Sequence, residues 1–398
     1  MSSPDPNRAG PPAFLAGRLS LMQATSFAGI GFYMPFFPVW LGSKGLGDVE
    51  IGYVLAVPIL VRVVAASWIT GLADRHLPPV LLLALLNACA AAAYLGLAGL
   101  DGLLPIALGT TLAAVALSGV VPLADILTTA QVRAGWRIDY GKVRLWGSVA
   151  FVLCNLLGGY LVARHGAWPI PFVLAGCSLL AALAALQAPR PPPLDLAAGE
   201  GGTPSSRRFP PVFWFVIFAA ALVNASHAAL YAFGSLHWRR LGIGDEQIGQ
   251  LWAVAVVAEI AVFLVAGRIV SLGTGGLRWI ALGGLAAMLR FGLMAAEPGF
   301  AVTVLLQLLH GVTFACTHMG ALAAVSALAP AGRRAAAQGR LVAAAALAMG
   351  SLTVLAGYLY RTFEAGAFFA MIPVAAAGSG LALLAIARLR SDTGRGRA

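Results

Sequence analysis

Charge is what this 398-residue chain has least of: Asp, Glu, Lys and Arg make up 10% of it, against roughly 25% in a soluble domain. Water is therefore not its main solvent. Cysteine is scarce as well. The four cysteines (Cys89, Cys154, Cys177, Cys316) show no CxxC pair and no metal-binding spacing, and all lie in apolar runs. That excludes a disulfide framework and reads them as small apolar fillers. Long polar stretches are missing too, which leaves no room for a soluble catalytic domain. His227, His310 and His318 lack the neighbouring nucleophile or acid in sequence that an intramembrane acyltransferase needs. These absences argue against an enzyme and call for no cofactor and no metal.

What is abundant is apolar, 60% of the residues. A helix needs about 20 apolar residues to cross the hydrocarbon core of a bilayer. Twelve runs are long enough, at approximately 14–41, 50–73, 78–100, 103–129, 142–164, 168–188, 210–237, 247–270, 277–296, 300–328, 336–361 and 366–388. Residues 1–12 are polar and Pro-rich, unlike a cleavable signal, so the first run is expected to act as its own insertion signal. The net charge of +11 would point to nucleic acid in a soluble chain, but its distribution points to a bilayer. With the N-terminus in the cytoplasm, nineteen of the 26 Lys and Arg residues fall on that side and five on the other, while Arg62 and Arg290 sit within runs. This positive-inside bias predicts that both termini are cytoplasmic.

The chain also repeats itself. Gly47-Asp48-Val49-Glu50-Ile51-Gly52 opens the second run, which has one charge in its middle, Arg62. Gly244-Asp245-Glu246-Gln247-Ile248-Gly249 opens the eighth, with Glu259 in its middle, and turn and charge share an offset of 197. One residue further along, the register aligns Gly141 with Gly339 and Gly159-Tyr160-Leu161 with Gly357-Tyr358-Leu359. Between the repeats, 189–209 is rich in Pro and Gly and reads as an irregular tether. The expectation is an all-α membrane protein of 12 transmembrane helices in two pseudo-symmetric six-helix bundles. The bundles are 1–188 and 210–398, with a cytoplasmic linker over 189–209. Six spans per half keep both halves in one orientation, a parallel repeat about an axis along the membrane normal.

Charge inside such spans is costly, about 2.5–3.5 kcal/mol at the bilayer centre, so it pairs, is neutralised or faces water. The intramembrane ionisable residues are Arg62, Asp125, Glu259 and Arg290, with Arg144 and His310 close behind. A carboxyl taken out of water can carry a proton near neutral pH. Glu259, alone in mid-span, suits that role best, and Asp125, nearer a helix end, comes second. Arginine holds a carboxylate through two hydrogen bonds from its planar fork, which makes Arg62 the candidate anchor for an anion. Polar stripes mark three runs: Ser118, Pro122, Asp125 and Thr129; Asn224, His227 and Tyr231; Gln307, His310, Thr313, Thr317 and His318. A helix packed wholly against lipid needs none of these. The first run carries Gly29, Gly31, Pro35 and Pro38, breaks that survive in a membrane only against protein or a water-filled cavity. In the fifth, Gly147, Cys154 and Gly158 make a smooth stripe for close helix approach. Arg144, Phe151 and Asn155 run beside it, where an Arg above a ring can hold an anion while the ring takes an apolar face.

Two stretches carry a family resemblance. Gly71-Leu72-Ala73-Asp74-Arg75 resembles the major facilitator superfamily signature between the second and third helices, matched by Gly71, Asp74 and Arg75. The basic residues that usually follow are replaced by His76-Leu77-Pro78. Asp139 through Phe151 closely resembles the 3-phenylpropionate permease branch of that superfamily, related to the lactose permease group of proton symporters. Leu251-Trp252 through Glu259, Arg290, and Leu309-His310 through His318 agree, and the similarity runs through essentially the whole chain. It implies that spans one, four, seven and ten line a central cavity. It also implies an acid, an Arg and an aromatic acting together, matched by Asp125, Arg144 and Phe151, with Phe in place of Trp. A Glu in span eight, an Arg in span nine and a His in span ten are matched by Glu259, Arg290 and His310 or His318. The chain departs from the pattern in span ten, where no acid follows either His by a turn, and in span seven, which lacks the acidic pair. Phe for Trp, with Arg62 in span two, weakens a sugar reading and favours an anion with an apolar body.

The expected function is secondary active transport: proton-coupled import, by alternating access, of a small aromatic carboxylate such as 3-phenylpropionate. A sugar or nucleoside proton symporter is the alternative, then a drug or metabolite exporter. Substrate contacts are expected from Arg62, Asp125, Arg144, Phe151 and His227, and proton coupling from Glu259, Arg290, His310 and His318. The partners are then substrate, proton and lipid bilayer, without nucleic acid. The chain is expected to be a monomer, multi-pass in a bacterial-type cytoplasmic membrane.

Overall fold

Lipid offers the backbone no hydrogen-bond partner, so a run this apolar must satisfy its own N–H and C=O groups as a helix. The computed structural model describes residues 14–75, 77–189, 208–269 and 273–395. Among these residues it has sixteen α-helices, one π-helical stretch and no strand. The first repeat gives α1 (Leu15–Ser43), α2 (Asp48–Arg75), α3 (Pro79–Ala98), α4 (Leu103–Leu117), α5 (Val120–Arg133), α6 (Tyr140–His165) and α7 (Ile170–Gln187). The second gives α8 (Pro211–Ala225), α9 (Ala228–Arg240), α10 (Asp245–Ile269), α11 (Gly276–Met294) and α12 (Phe300–His310). After the π-helical stretch Gly311–Cys316 come α13 (Thr317–Leu328), α14 (Arg334–Phe363), α15 (Gly366–Phe369) and α16 (Ile372–Arg395). Linker residues 190–207 and the side chains of Asp74 and Arg75 lie outside the described residues.

Eleven of the described segments are long and apolar enough to cross a membrane. The 29-residue α1 is not among them, because its glycines, Pro35 and Pro38 dilute its apolar character along with Gln23, Thr25 and Ser26. Leu104, Leu108 and Leu112, one turn apart on α4, are 68%, 63% and 62% exposed and form an apolar outer stripe of the kind lipid covers.

Several spans are interrupted, and the sequence explains two of the breaks. Between α4 and α5 the Ser118 carbonyl loses its helical partner, since Pro122 has no N–H to give. Between α8 and α9 the His227 ring takes over, its Nδ1 lying 3.2 Å from the Val223 carbonyl and 3.1 Å from that of Asn224. The Val223 carbonyl also accepts from the Ser226 hydroxyl at 2.7 Å, and that of Asn224 from the His227 backbone N–H at 3.2 Å. α1, where breaks were expected, runs unbroken through Pro35 and Pro38. Met34, whose carbonyl Pro38 leaves free, lines a cavity instead.

The repeats meet in two glycine crossings. A methyl added to Gly52 of α2 would lie 3.1 Å from the Thr353 carbonyl and 3.2 Å from Gly357 Cα of α14. A methyl added to Gly249 of α10 would lie 2.5 Å from the Asn155 carbonyl and 3.2 Å from Gly159 Cα of α6. Both crossings sit at the ends of the helices next to the two repeated turns. There Arg240 of α9 reaches Asp48 at 3.3 Å and Glu364 at 3.7 Å, and the hydroxyls of Tyr53 and Tyr358 share a 2.9 Å hydrogen bond. One hydrophobic core serves both repeats at this end, from Phe36, Trp40 and Tyr94 to Trp238, Trp252 and Tyr360. At the opposite end the core divides: Leu19, Leu83, Leu123 and Leu127 belong to one cluster, Phe213, Val216, Ile280 and Val325 to another. The repeats share a core at one end only.

Candidate functional site

A cavity of about 280 Å³ opens among α1, α2, α3, α4, α5, α7, α9 and α14. Its wall is mostly apolar, with Met34, Ile59 and Leu117, and its polar groups are few: Arg62, Tyr33, Asn87, Tyr94, Thr110 and Ser178 among them. Arg62 is exposed there and makes no ion pair or hydrogen bond among the described residues. Tyr33 and Tyr94 stand within its electrostatic reach.

A second cluster forms where α10, α11 and α12 meet. Arg290 is fully buried, at 0% exposure. Its Nη1 donates to His310 Nδ1 at 2.7 Å, and its Nη2 donates to Gln307 Oε1. Gln307 Nε2 donates in turn to the Leu251 carbonyl at 3.2 Å, which fixes the amide's orientation. His310 Nε2 lies 2.8 Å from Glu259 Oε1. Arginine has donors only, so His310 Nδ1 must accept. The ring's one proton then sits on Nε2 and points at Glu259. His310 is neutral, and Glu259 is the carboxyl that stands next to it in the network around Arg290. While Arg290 occupies Nδ1, a further proton entering the cluster has to bind the Glu259 carboxyl.

The π-helical stretch follows His310 directly. One extra residue per turn re-aims the side chains on either side of it. Gly311 begins it, and a methyl there would lie 2.6 Å from the Ala258 carbonyl. The bare glycine lets the α10 backbone come in, and Glu259, the next residue, arrives against His310. His227 Nε2 lies 2.9 Å from Thr313 Oγ1, and the two His rings stand 5.3 Å apart. Tyr231 belongs to both clusters: it lines the cavity, and its ring is 6.0 Å from that of His310.

A third cluster lies toward the end where the cores divide. Arg144 Nε is 3.6 Å from Asp125 Oδ1, which also accepts from Gln23 Nε2 at 3.1 Å. The guanidinium sits 3.9 Å over the ring of Phe27. The two charged side chains are 31% and 32% exposed, so their attraction is partly screened and worth on the order of 1 kcal/mol. Asp125→Asn and Arg144→Gln should each lower the melting temperature in detergent more than the double variant does, because the lone survivor loses its counter-charge. Additive losses in the double variant would show that the two are not coupled.

A model described as the MFS_1 like family matches residues 18–371, which take in all three clusters and the repeated turns. The chain belongs to the MFS_1 like family. This MFS_1 like protein is 30% identical over 367 residues to an Escherichia coli (strain K12) protein named "Probable 3-phenylpropionic acid transporter", covering 90% of this chain and 94% of that one. It is 28% identical over 380 residues to the maltose permease of Geobacillus stearothermophilus, covering 92% and 93%. Among solved structures the nucleoside transporter NupG superposes with a TM-score of 0.78 at 15% identity, covering 94% of this chain and 99% of that one. An inward-facing, occupied bacterial homolog of the human lysosomal transporter Spinster gives 0.71 at 15%, covering 96% and 97%. Identities this low show the fold alone. With its family and relatives, this MFS_1 like protein is a multi-pass membrane transporter and not an enzyme.

Of the residues expected to hold substrate in this MFS_1 like transporter, Arg62 lines the cavity; Asp125, Arg144, Phe151 and His227 do not. Asp125 and Arg144 engage each other. The ring over Arg144 is Phe27 of α1, not Phe151, because two turns of helix separate Arg144 from Phe151 whereas α1 packs directly on α6. Phe151 instead turns its backbone to Gly31, where an added methyl would lie 2.6 Å from the Phe151 carbonyl. His227, at 0% exposure, faces Thr313. The stripe on span ten, expected to line the cavity, is buried in the cluster around Arg290: Gln307, His310, Thr313 and Thr317 are each 4% exposed or less. His318, by contrast, is exposed, with its ring stacked on Phe314 at 5.9 Å. The smooth stripe of span five receives α1, for Gly147 meets Phe27 and Gly158 meets Phe36. Sequence reasoning missed Gln23, Phe27, Asn87 and Thr110. Gln23, Asn87 and Thr110 belong to no polar stripe of helical spacing, and Phe27 is apolar, so a search for polar periodicity passes over all four. Among the described residues no group of three His, Cys, Asp or Glu is arranged to hold a metal ion.

Proposed function

We propose that this transporter imports a small aromatic carboxylate, such as 3-phenylpropionate, together with a proton. The observation that carries the reading is Arg62: a cation without an ion pair among the described residues, opening into a small, mostly apolar cavity. A cation at this depth in a membrane needs water or an anion, and its fork holds a carboxylate through two hydrogen bonds. Apolar and tyrosine side chains suit the body of such an acid. Ligand pockets run from about 300 to 1,000 Å³, so a cavity of about 280 Å³ favours a single ring over a disaccharide. The relative named for 3-phenylpropionic acid agrees with this chemistry. A nucleoside or sugar leaves Arg62 without an assigned role.

Glu259 is the proton carrier, with His310 and Arg290 as its setting and Tyr231 as the contact between the proton cluster and the substrate. The electrostatics couple the two loads. A proton on Glu259 adds one positive charge to the buried interior, and a carboxylate on Arg62 adds one negative charge. Loaded together they leave the interior charge unchanged; either alone alters it, at the cost such charge carries in a membrane.

The arrangement behind this reading is twelve spans, α1 being the twelfth, in six-helix bundles 1–188 and 210–398 with a linker at 189–209. Both termini are cytoplasmic, the membrane is a bacterial cytoplasmic one, and the monomer is the working unit. The shared core closes the outer end, and the divided cores leave the cavity facing the cytoplasm. Uptake of radiolabelled 3-phenylpropionate into proteoliposomes tests the function. Accumulation should require an acidic exterior, and uptake indifferent to a pH gradient would rule out the coupling.

A further inference from the structure

Arg62 accounts for one end of the cavity's substrate. The wall made by α3, α4 and α7 bears on the other. Thr110 lines the cavity at 2% exposure, and its hydroxyl is buried with no hydrogen-bond partner. This is unusual within the same molecule. Thr111, the next residue, donates to the carbonyl one turn back at 2.7 Å, and Thr25, Thr128, Thr129, Thr317 and Thr353 do likewise. Ser178, also buried on this wall, makes no hydrogen bond among the described residues. Asn87 donates through Nδ2 to the Leu83 carbonyl at 2.9 Å, which leaves its carbonyl oxygen for another donor. Three helices thus bring polar groups to one cavity wall, one of them, the Thr110 hydroxyl, buried without a partner. Buried polar groups are normally paired, so such a convergence marks where a ligand's polar atom belongs.

Thr110 and Ser178 are displaced from Arg62 along the membrane normal, while Asn87, about 16 Å from the last residue of α3, lies nearer its level. Successive antiparallel helices put the first residues of α2, α4 and α7 at the same end of the molecule. At about 1.5 Å rise per residue, Arg62 is about 21 Å into α2, Thr110 about 10 Å into α4 and Ser178 about 12 Å into α7. A molecule with its carboxylate on Arg62 therefore points its far end at this wall, and a short chain with one ring bridges the gap.

We propose that Asn87, Thr110 and Ser178 form a second subsite that receives a hydroxyl at the ring end of the substrate. The transported acid is then a hydroxylated aromatic acid, preferred over its unsubstituted parent. This rests on the carboxylate reading of Arg62 and sharpens it. A site built to hydrogen-bond a hydroxyl discriminates against the analogue that lacks it, because its own buried groups are then left unpaired.

The test is inhibition of radiolabelled 3-phenylpropionate uptake by three probes: unlabelled 3-phenylpropionate and its meta- and para-hydroxyl derivatives. One hydroxyl isomer should bind at least about tenfold more tightly than the parent. In Thr110→Val and Ser178→Ala that preference should shrink to about threefold or less. The readout is the ratio of affinities, so a variant that merely folds poorly lowers both alike and leaves the ratio standing. Parent and hydroxyl acids binding equally well, or a preference untouched in both variants, would overturn the subsite while leaving the carboxylate anchor intact. If none of the three acids competes, the carboxylate reading falls, and the subsite falls with it.

Discussion

Glu259→Gln, reconstituted in proteoliposomes, will exchange substrate across the bilayer but will not concentrate it under an inward proton gradient. The substitution is nearly silent sterically. A glutamine carbonyl can accept from His310 Nε2–H just as the carboxylate does across its 2.8 Å contact. What disappears is the carboxyl that can gain a proton beside His310, since Arg290 occupies the other nitrogen of that ring. Glutamine resembles the protonated carboxyl, so the variant behaves as one permanently loaded with its proton. It can turn over with substrate on board, and its accumulation ratio should fall to the equilibrium value. The measurement pairs counterflow with uptake driven by an imposed pH step. Accumulation equal to that of the unmodified protein would move the proton to another group, with Asp125 next in line.

The second large effect is expected at Arg62. Arg62→Lys should insert and fold as before, yet bind the carboxylate more weakly by about 1.4–2.8 kcal/mol, roughly 10- to 100-fold in Kd. Lysine keeps the charge but loses the planar fork, and with it one of the two charge-assisted bonds. An amide or alcohol analogue of the same acid never used that fork and should bind equally well to both proteins. Because Arg62 has no ion pair among the described residues, its replacement should leave the melting temperature in place. If the charged and neutral analogues lose affinity alike, or if stability drops, Arg62 braces helices and does not hold an anion.

Much of this was legible in the residues, and what was not has a physical reason. Charge in an apolar run is costly, so Arg62, Asp125, Arg144, Glu259, Arg290 and His310 were conspicuous from spacing alone. All six fall in one of the three polar clusters. Which neighbour each would find depended on how the helices pack, and that is decided by small residues far away in sequence. The ring over Arg144 comes from α1 because Gly147 and Gly158 let that helix in. Glu259 meets His310 because Gly311 leaves room for the Ala258 carbonyl, inside a π turn that no apolar periodicity announces. Polar stripes told which faces avoid lipid but not whether they meet water or one another. The stripe of span ten satisfies itself around Arg290, whereas the cavity draws on scattered residues such as Asn87 and Thr110.

The glycine crossings carry a consequence of another kind. Gly52 and Gly249 are counterparts in the repeat, and so are Gly159 and Gly357. Gly52 rests on Gly357, and Gly249 rests on Gly159. Each partner's counterpart thus repeats the contact in the opposite sense, the signature of an isologous interface, where residue i meets j and j meets i across a twofold axis. A single half carries both surfaces of that interface and is complementary to a copy of itself. Before the gene was duplicated, the same contact would have joined two identical short chains as a homodimer. Fusion then freed the halves to diverge, so that the position held by Arg62 in one half is held by Glu259 in the other, a cation and an acid at matching depth.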